Sequence, residues 1–257
     1  MAANMKAVKL RMKSIQSTMQ ITKAMELVAS SKLRKAKERA DASRPYFHTL
    51  ENTLEQIAAG NTDLSSVYTK KSKNEKWCYV VIAGDRGLAG GYNSNLFKEM
   101  ESQTAGKDYC VLPIGKKAVE YYKRRGIELV TEEFAEAGDI SVSDCFEIAA
   151  LLCRAFKAGE FGHAALGYTN FVSMLSQKPD VSSMLPLEDL SGEEKDMKQI
   201  HSLILYEPDS ETVFDAIVPE YLAGMVYGAM CESVASELAA RRTAMDAASK
   251  NAGEMIE

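Results

Sequence analysis

Residues 234–255 read VASELAARRTAMDAASKNAGEM, and this stretch decides how the chain is organised. One set of residues within it recurs at alternating steps of four and three, which is the spacing of a coiled-coil seam. The set is Val234, Leu238, Arg241, Met245, Ala248, Ala252 and Met255. Alanine is dense around these positions, and small side chains let two helix backbones approach closely. The stretch therefore predicts a long helix over 211–257 that packs along a second helix and has one charged residue in its seam.

A matching helix is predicted at the other end of the chain. Residues 7–58 contain no glycine and one proline, Pro45, which we expect to bend or break the helix. Strong helix formers dominate this range. Its apolar residues recur at steps of three and four, in runs whose phase drifts: Met12, Ile15 and Met19; Ile21, Met25 and Val28; Ala29, Leu33, Ala36 and Ala40. Two such helices at opposite ends of one chain can pair antiparallel, with a globule between them.

Between the two helices, apolar runs alternate with helical patterns. Strands are predicted at 77–84, 109–115, 127–130, 163–171 and 203–206, and helices at 95–104, 116–125 and 142–158. This alternation is typical of an α/β fold with a largely parallel sheet. The fold class we expect is a long antiparallel coiled coil of N- and C-terminal helices plus a Rossmann-like α/β domain. The expected division is 1–58 for the first coiled-coil helix, 59–76 for a linker, 77–206 for the α/β domain and 207–257 for the second coiled-coil helix.

Charge is distributed unevenly along the chain. The whole sequence has a net charge of −5, yet residues 1–44 hold eleven basic residues and three acidic ones. The N-terminal segment is therefore +8 and the remainder of the chain is −13. A basic arm on an acidic body favours an acidic partner for the arm.

The most conspicuous motif is GDRGLAGG at residues 84–91, after a predicted strand. Its spacing departs from the G-x-G-x-x-G of a dinucleotide-binding loop, and Asp85 would place a negative charge beside a pyrophosphate. A tight turn with Asn93 or Ser94 capping the next helix is the simpler prediction. Residues 114–117, IGKK, likewise lack the first glycine and the Ser/Thr of a phosphate-binding loop.

No residue pattern predicts catalysis, a metal or a cofactor. The three histidines, His48, His163 and His201, lie in separate segments, and the sequence has no HExxH or GxSxG motif. Its five cysteines form no CxxC pair and indicate reduced thiols in a reducing compartment. No stretch approaches the ~20 apolar residues that span a bilayer. The basic N-terminal helix runs past any plausible transit-peptide cleavage point, so we expect it to be part of the fold.

Several segments resemble one known family. Residues 21–36, ITKAMELVASSKLRKA, and 43–46, SRPY, closely resemble the N-terminal helix of the gamma subunit of F-type ATP synthases. The loop DRGLAGGYN at 85–93 is similar to that family's glycine loop. The segments LYEPD at 205–209 and ASELAARRTAM at 235–245 resemble its C-terminal half. The resemblance spans essentially the whole chain, in the family order.

This resemblance implies a central rotor shaft. In that family the terminal helices form an antiparallel coiled coil inside a ring of alpha and beta subunits, and the α/β domain lies at the foot, beside the epsilon subunit and on the membrane c-ring. The shaft couples proton-driven rotation to catalytic sites that lie on other subunits, so the chain would be non-catalytic. It would be peripheral to the cytoplasmic face of a bacterial plasma membrane, with the mitochondrial matrix face as the alternative.

The resemblance also implies contact residues. The residues facing the catalytic head would be Arg11, Lys23, Ala24, Met25 and Arg241. The residues near the foot, the ring and epsilon would be Arg39, Arg44, Tyr46, Tyr206, Glu207 and Asp209. The loop at 84–93 would be part of the fold architecture and not a nucleotide site. The family continues with a further helical stretch beyond Ile256, whereas this sequence stops at Glu257. The cysteine-bearing insert of the chloroplast type is absent, so we expect no thiol control.

Two other functions stay open at this level. One is a Rossmann-like enzyme with helical dimerisation arms, which tight nucleotide binding by the isolated chain would favour. The other is a coiled-coil nucleic-acid binder, because a helix with eleven cations can contact phosphates in a salt-dependent way. Only Tyr46 and Phe47 supply aromatic side chains near the basic arm, and its apolar stripe requires a helix partner. We therefore favour the shaft and expect no nucleic-acid partner.

Overall fold

A computed structural model describes residues 2–60, 65–70, 72–187 and 206–257, with the side chains of 2–4, 40, 43, 44, 60 and 139 outside the description. Five α-helices and four strands follow one another in these ranges. They are α1 (Ala2–Gly60), β1 (Trp77–Ile82), α2 (Tyr92–Thr104), β2 (Tyr109–Ile114), α3 (Lys116–Arg124), α4 (Val142–Ala158), β3 (His163–Phe171), β4 (Gln177–Leu185) and α5 (Ser210–Glu254). The long terminal helices and the α/β alternation agree with the predicted fold class.

Helices α1 and α5 pair antiparallel. At one end, the hydroxyl oxygens of Thr22 and Ser249 lie 2.7 Å apart in a hydrogen bond. At the other end, the Phe47 ring presses against Gly224, so closely that an added Cβ would come within 3.0 Å of the ring. Twenty-five residues separate these contacts on α1, from 22 to 47, and the same number separates them on α5, from 224 to 249. The two helices therefore stay in one register over about 37 Å.

The seam of α1 follows a heptad that the apolar pattern only partly indicates. Its buried side chains, among those described, are Thr22, Glu26, Ala29, Leu33, Ala36, Leu54 and Ile57. They step by four and three, and the last two keep the same phase. Ile21 and Val28, which the sequence placed in the stripe, are 58% and 55% exposed. The predicted seam was therefore wrong by one residue in this part of α1. The apolar pattern did not indicate the true seam because two of its positions are held by polar side chains, Thr22 and Glu26.

The predicted seam of α5 is confirmed over most of its length. Leu238, Met245 and Ala252 are buried, whereas Met255 lies just beyond the helix and is 67% exposed. Between residues 222 and 239, α5 is buried on several faces, because it packs against α1 on one side and against β3 and α4 on the other. This central burial explains why the helix lacks a simple amphipathic pattern.

Pro45 does not break α1. The helix continues from Ala2 to Gly60 through this residue, so of the two predicted effects, a bend or a break, the break was wrong. The Pro45 carbonyl still accepts a hydrogen bond from the Thr49 hydroxyl at 2.9 Å. Packing against α5 on both sides of Pro45 stabilises the helix against the loss of one backbone hydrogen bond.

The sheet has the order β2-β1-β3-β4. The first three strands are parallel and β4 is antiparallel to β3, which confirms a largely parallel sheet. One face carries Cys78, Val80 and Ile82 into a core shared with α4 and α5. The opposite face packs Tyr79 and Val81 against α2 and α3. The domain is thus a three-layer α/β sandwich in which α5 is one of the covering helices.

Three details of the domain differ from the sequence pattern. Residues 127–130, predicted as a strand, make only a single bridge, between Leu129 and Val111 of β2. Strand β4 was not predicted, and it covers the outer edge of β3. The strand predicted at 203–206 falls on residues that, apart from Tyr206, lie outside the description.

The segment before β1 is built into the core. Tyr68 is 1% exposed and its ring stacks on Phe156 of α4 at 6.2 Å. The Ser66 hydroxyl donates to the Asp215 carboxylate of α5 at 2.5 Å. The Tyr68 carbonyl accepts from the Leu187 N–H at 2.8 Å. These contacts tie the C-terminal side of α1 to the domain.

All five cysteines are free thiols with buried side chains. None of the helices in the described ranges has the length and apolar character that crossing a bilayer requires.

Candidate functional site: a cleft between the long helices and the glycine loop

A cleft of about 740 Å³ lies where the long helices meet the carboxyl end of the sheet. Its walls are the α1 face from Ala24 to Arg39, the loop after β1, and the α5 face from Ser233 to Arg241. Strand β1 has β2 on one side and β3 on the other, so the chain reverses its direction of winding here. This switch point is where open α/β sheets commonly bind a ligand.

The anion position at this switch point is filled by the chain itself. The Asp85 carboxylate accepts hydrogen bonds from the backbone N–H groups of Lys116 at 3.2 Å, Ala137 at 2.8 Å and Gly138 at 2.9 Å. Lys116 is the first residue of α3, where a phosphate would bind the helix N-terminus. The next N–H, of Lys117, donates to the Gly84 carbonyl at 3.0 Å. The loop therefore offers these donors to Asp85 and not to a nucleotide.

The start of α2 differs from the predicted cap. The helix begins at Tyr92 with Gly91 as its first flanking residue and without a side-chain cap. Asn93 instead accepts a hydrogen bond from the Gly84 N–H at 2.9 Å. Ser94 donates to the Gly91 carbonyl at 3.0 Å. Prediction of Asn93 or Ser94 as the cap was wrong, because both side chains hold the glycine loop and not the helix end.

Arg241 joins α5 to the glycine loop. Its guanidinium donates to the Gly87 carbonyl at 3.2 Å and to the Glu237 carboxylate at 2.5 Å. Burial raises the pKa of the Glu237 carboxyl, and the adjacent Arg241 charge opposes that rise. The neighbouring Leu88 has a φ of 65° and is 65% exposed, so this loop presents an apolar side chain outward from a left-handed conformation.

The rim of the cleft is basic. Lys116 pairs with Glu136 at 2.6 Å, but four other cations of the cleft have no carboxylate within 4.0 Å among the described residues. These are Lys32, Lys35, Arg39 and Arg86. A surface of unpaired cations attracts an acidic partner. The geometry thus agrees with the acidic partner that the charge distribution of the sequence indicates.

The residues assigned to the catalytic head do not form one patch. Arg11, Lys23 and Ala24 are exposed on α1 and Met25 is half-buried. Lys23 pairs with Glu26 at 2.7 Å. Met25 and Ala24 line the same cleft as Arg241, so the structure brings these three together, while Arg11 lies further along α1. Arg241 is already engaged within the chain.

The residues assigned to the foot fall into two groups. On α1, Arg39 lies at the cleft rim, the Tyr46 hydroxyl donates to Glu220 of α5 at 3.2 Å, and the side chain of Arg44 is outside the description. Before α5, Tyr206 is half-buried against the main core and Glu207 is exposed.

Asp209 has a structural role that the sequence reading missed. Its carboxylate accepts hydrogen bonds from the Thr212 N–H at 2.7 Å and the Thr212 hydroxyl at 2.8 Å, which makes it the N-terminal cap of α5. These hydrogen bonds lower the pKa of the Asp209 carboxyl. An acidic residue three positions before a threonine at the start of a helical pattern is the signal that could have identified this cap.

The cleft residues Asp85, Arg86 and Glu237 were also not assigned to a site from the sequence.

A metal is not indicated by the geometry: the described residues contain no group of three or more His, Cys, Asp or Glu side chains that could hold one.

Replacing Asp85 with alanine is expected to lower the free energy of unfolding by about 1–3 kcal/mol, because three backbone donors lose their acceptor. Urea unfolding followed by circular dichroism measures the loss. Asp108→Ala is the matched control, since Asp108 is exposed and should change stability by less than about 0.5 kcal/mol. Equal losses in the two variants would contradict the role assigned to Asp85.

Comparison with known proteins gives consistent matches. A family model described as ATP synthase matches residues 4–257. The ATP synthase gamma chain of Ruminococcus albus is 46% identical over 99% of this chain and 89% of its own length. The sodium-ion-specific ATP synthase gamma chain of Acetobacterium woodii is 36% identical over 100% of this chain and 90% of its own. Among solved structures, the central stalk and c-ring of Tetrahymena thermophila mitochondrial ATP synthase contains a chain with a TM-score of 0.65 and 24% identity. That match covers 89% of this chain and 99% of the other, and it supports the fold alone.

Proposed function

The chain belongs to the family of ATP synthase gamma chains, and from this premise we propose that it is the central rotor shaft of an F-type ATP synthase. In this role it couples ion flow through a membrane ring to ATP synthesis and hydrolysis on the catalytic subunits. Its partners are the alpha and beta subunits of the head, the epsilon subunit and the c-ring. One observation carries the proposal: two long antiparallel helices stay in fixed register for about 37 Å, and one of them, α5, also covers the sheet of the α/β domain.

A shaft needs stiffness along its length and a free surface for partners. The paired helices provide the stiffness because buried side chains of one heptad phase line α1 from Thr22 to Ala36 and again at Leu54 and Ile57. Near its N-terminal end, α1 exposes Met5, Val8 and Leu10 at 60%, 47% and 73%. Apolar side chains exposed together on one rod end favour burial against another protein.

We assign the two contact regions accordingly. Arg11, Lys23, Ala24, Met25 and Arg241 lie on the head side of the helix pair, and Arg39, Arg44, Tyr46, Tyr206, Glu207 and Asp209 on the foot side. Three cations of the cleft rim, Lys32, Lys35 and Arg86, suit acidic loops of the catalytic subunits, whereas the fourth, Arg39, belongs to the foot side. The same proposal divides the chain into a first coiled-coil helix (1–58), a linker (59–76), the α/β domain (77–206) and a second coiled-coil helix (207–257).

The chain is a non-catalytic subunit in this proposal, with the ATPase sites on its partners. The occupation of the loop donors by Asp85 supports this assignment. It is peripheral through the complex, at the cytoplasmic face of a bacterial plasma membrane. The coupling ion is set by the ring, so the shaft role holds for protons and for sodium ions alike.

The test is purification of the tagged full chain from source-organism membranes, with identification of the associated proteins by mass spectrometry and an ATPase assay. We expect two related nucleotide-binding subunits in excess over this chain, together with ATPase activity. An untagged strain is the control for adventitious capture. Recovery of the chain alone or as a homodimer, with intact ATP synthase left behind in the membranes, would overturn the proposal.

Met25→Lys is expected to impair coupling more than assembly, because it adds a cation between Lys23 and Lys32 on the face assigned to the head. We expect ion pumping per ATP hydrolysed to fall about fivefold, as for ~1 kcal/mol from one misplaced charge. Fluorescence quenching in membrane vesicles measures pumping, and Met25→Leu is the uncharged control. Unchanged pumping and hydrolysis in the lysine variant would count against the placement of Met25.

A further inference from the structure

We propose that one face of α5, formed by Ser233, Ser236, Glu237 and Arg241, is a polar clamp that transmits torque between the α/β domain and the helix pair. This inference rests on the proposed shaft function and deepens it. It identifies where the rotating domain is held and which of the two long helices receives the torque.

The first half of the polar clamp holds the end of β3. Strand β1 pairs with β3 no further than Gly167, so Thr169 lies beyond the last residue that β1 can pair. The Thr169 N–H donates to the Ser233 hydroxyl oxygen at 3.2 Å, and the Ser236 hydroxyl donates to the Thr169 carbonyl at 3.1 Å. All three residues are at most 2% exposed. Helix α5 therefore takes the place of a missing strand for this residue.

The second half holds the loop after β1. Arg241 bonds the Gly87 carbonyl and the Glu237 carboxylate, and both charged side chains are less than a fifth exposed. Glu237 also lies against Gly84, where an added Cβ would meet its Oε1 atom at 3.2 Å. The same helix face thus holds the carboxyl ends of two neighbouring parallel strands.

The direction of the bonds matters for torque. The hydrophobic effect that holds alanine and leucine side chains between a helix and a sheet is non-directional. A hydrogen bond between a buried hydroxyl and a backbone group is directional, and breaking it leaves an unsatisfied buried group. Rotation of the domain about α5 would break both bonds to Thr169 at once.

Helix α1 is joined to the domain in a different way. It packs mainly against α5. Its Leu54 and Ile57 side chains are buried in the main core, and at the end of β3 its Lys37 ammonium lies over the Phe171 ring at 4.9 Å. Such a cation–π contact at an exposed side chain tolerates considerable movement. The directional bonds to the ends of β1 and β3 described above come from α5, so we place the main path of torque from the sheet into α5 and from α5 into the paired helices.

The experiment replaces both serines, as Ser233→Ala with Ser236→Ala, in the full chain assembled in the ATP synthase complex. Hydrogen exchange should become about tenfold faster at the Thr169 amide, as for one lost hydrogen bond. Ion pumping per ATP hydrolysed should fall about twofold or more, with the amount of assembled complex taken into account. The matched control is Ser30→Ala on α1, whose hydroxyl bonds only the Glu26 carbonyl of its own helix at 2.9 Å and should change neither reading.

Each outcome separates the polar clamp from the shaft function. Faster exchange with an unchanged pumping ratio would overturn torque transmission and leave the shaft function intact. Unchanged exchange would overturn the polar clamp itself. Failure of the wild-type chain to support coupled pumping would instead count against the proposed function. If the double variant does not assemble, the single variant Ser236→Ala replaces it. This variant keeps the bond to the Thr169 N–H, so we expect its ratio of ion pumping to ATP hydrolysis to fall as well, but by less.

Discussion

Gly224→Ala is expected to lower the free energy of unfolding of the chain by about 2 kcal/mol, although alanine is the better helix former by about 1 kcal/mol. The reason is the Phe47 ring, which lies where the new Cβ would be. That ring cannot simply turn away, because Tyr46 and Tyr227 flank it with ring centroids at 5.2 and 6.1 Å. Either the ring leaves its rotamer or the two helices separate locally.

Gly228→Ala is the matched control, one turn further along the same helix. An added Cβ there meets nothing within 4 Å, so this variant should gain up to about 1 kcal/mol from helix propensity. Urea unfolding should therefore place the two alanine variants about 3 kcal/mol apart. In a Phe47→Leu background the loss at Gly224 should shrink, which a double-mutant cycle measures. Similar stabilities of the two alanine variants would show that Phe47 does not fix the helix register.

Gly115→Ala is expected to lower the free energy of unfolding by about 3 kcal/mol or more. Gly115 joins β2 to α3 with a φ of 94°, a conformation that disfavours any side chain. Its Cβ would also overlap the Ala83 carbonyl at the end of β1. Backbone, unlike a flexible side chain, cannot give way without disturbing the β1–β2 pairing.

Gly126→Ala separates the two causes of this loss. Gly126 also has a positive φ, 68°, but an added Cβ there meets nothing within 4 Å. It should lose only about 1 kcal/mol from backbone strain. The excess loss at Gly115, measured by urea unfolding, is then the cost of the overlap with Ala83. Equal losses at the two positions would mean that the β1–β2 edge is softer than the structure indicates.

The architecture could be predicted because its signals are local and repeated. Helix α4 and strand β3 have the bounds that the sequence predicts, since Gly159 follows α4 directly and β3 is a largely apolar run that begins after Gly162. Gly159 ends α4 with a φ of 76°, as a helix-terminating glycine does. The antiparallel pairing of α1 and α5 was also predictable, because neither long helix can bury its stripe alone.

The exact seam of α1 could not be predicted from apolar residues. Thr22 and Glu26 occupy it, and their polar atoms are satisfied there by Ser249 and by Lys23. A search for periodic apolar residues cannot detect a seam position whose polar side chain is buried because a partner supplies hydrogen bonds. Strand β4 was missed for a related reason: as an edge strand it carries Lys178, Pro179 and Asp180, residues that disfavour a strand in the sequence but suit an exposed edge.

The candidate site was only partly predictable. The sequence indicated a basic arm, and the spacing of its glycines argued against a nucleotide-binding loop. The hydrogen bonds of Asp85 give the physical reason for the second point, because they occupy the backbone donors of that loop. The link from Arg241 to Gly87 spans 154 residues of sequence. A contact that depends on the whole tertiary fold leaves no local pattern, so the heptad gave Arg241 a place in a helix seam and nothing about the loop.

The carboxylate of Asp85 is in effect a ligand that the protein carries with it. A group tethered to its own binding site acts at an effective concentration of about millimolar or more, whatever the solution around it contains. The three backbone donors are therefore occupied to the same extent at low and at high concentrations of free phosphate or nucleotide. The α/β domain is therefore insensitive at this position to the cell's phosphate and nucleotide concentrations.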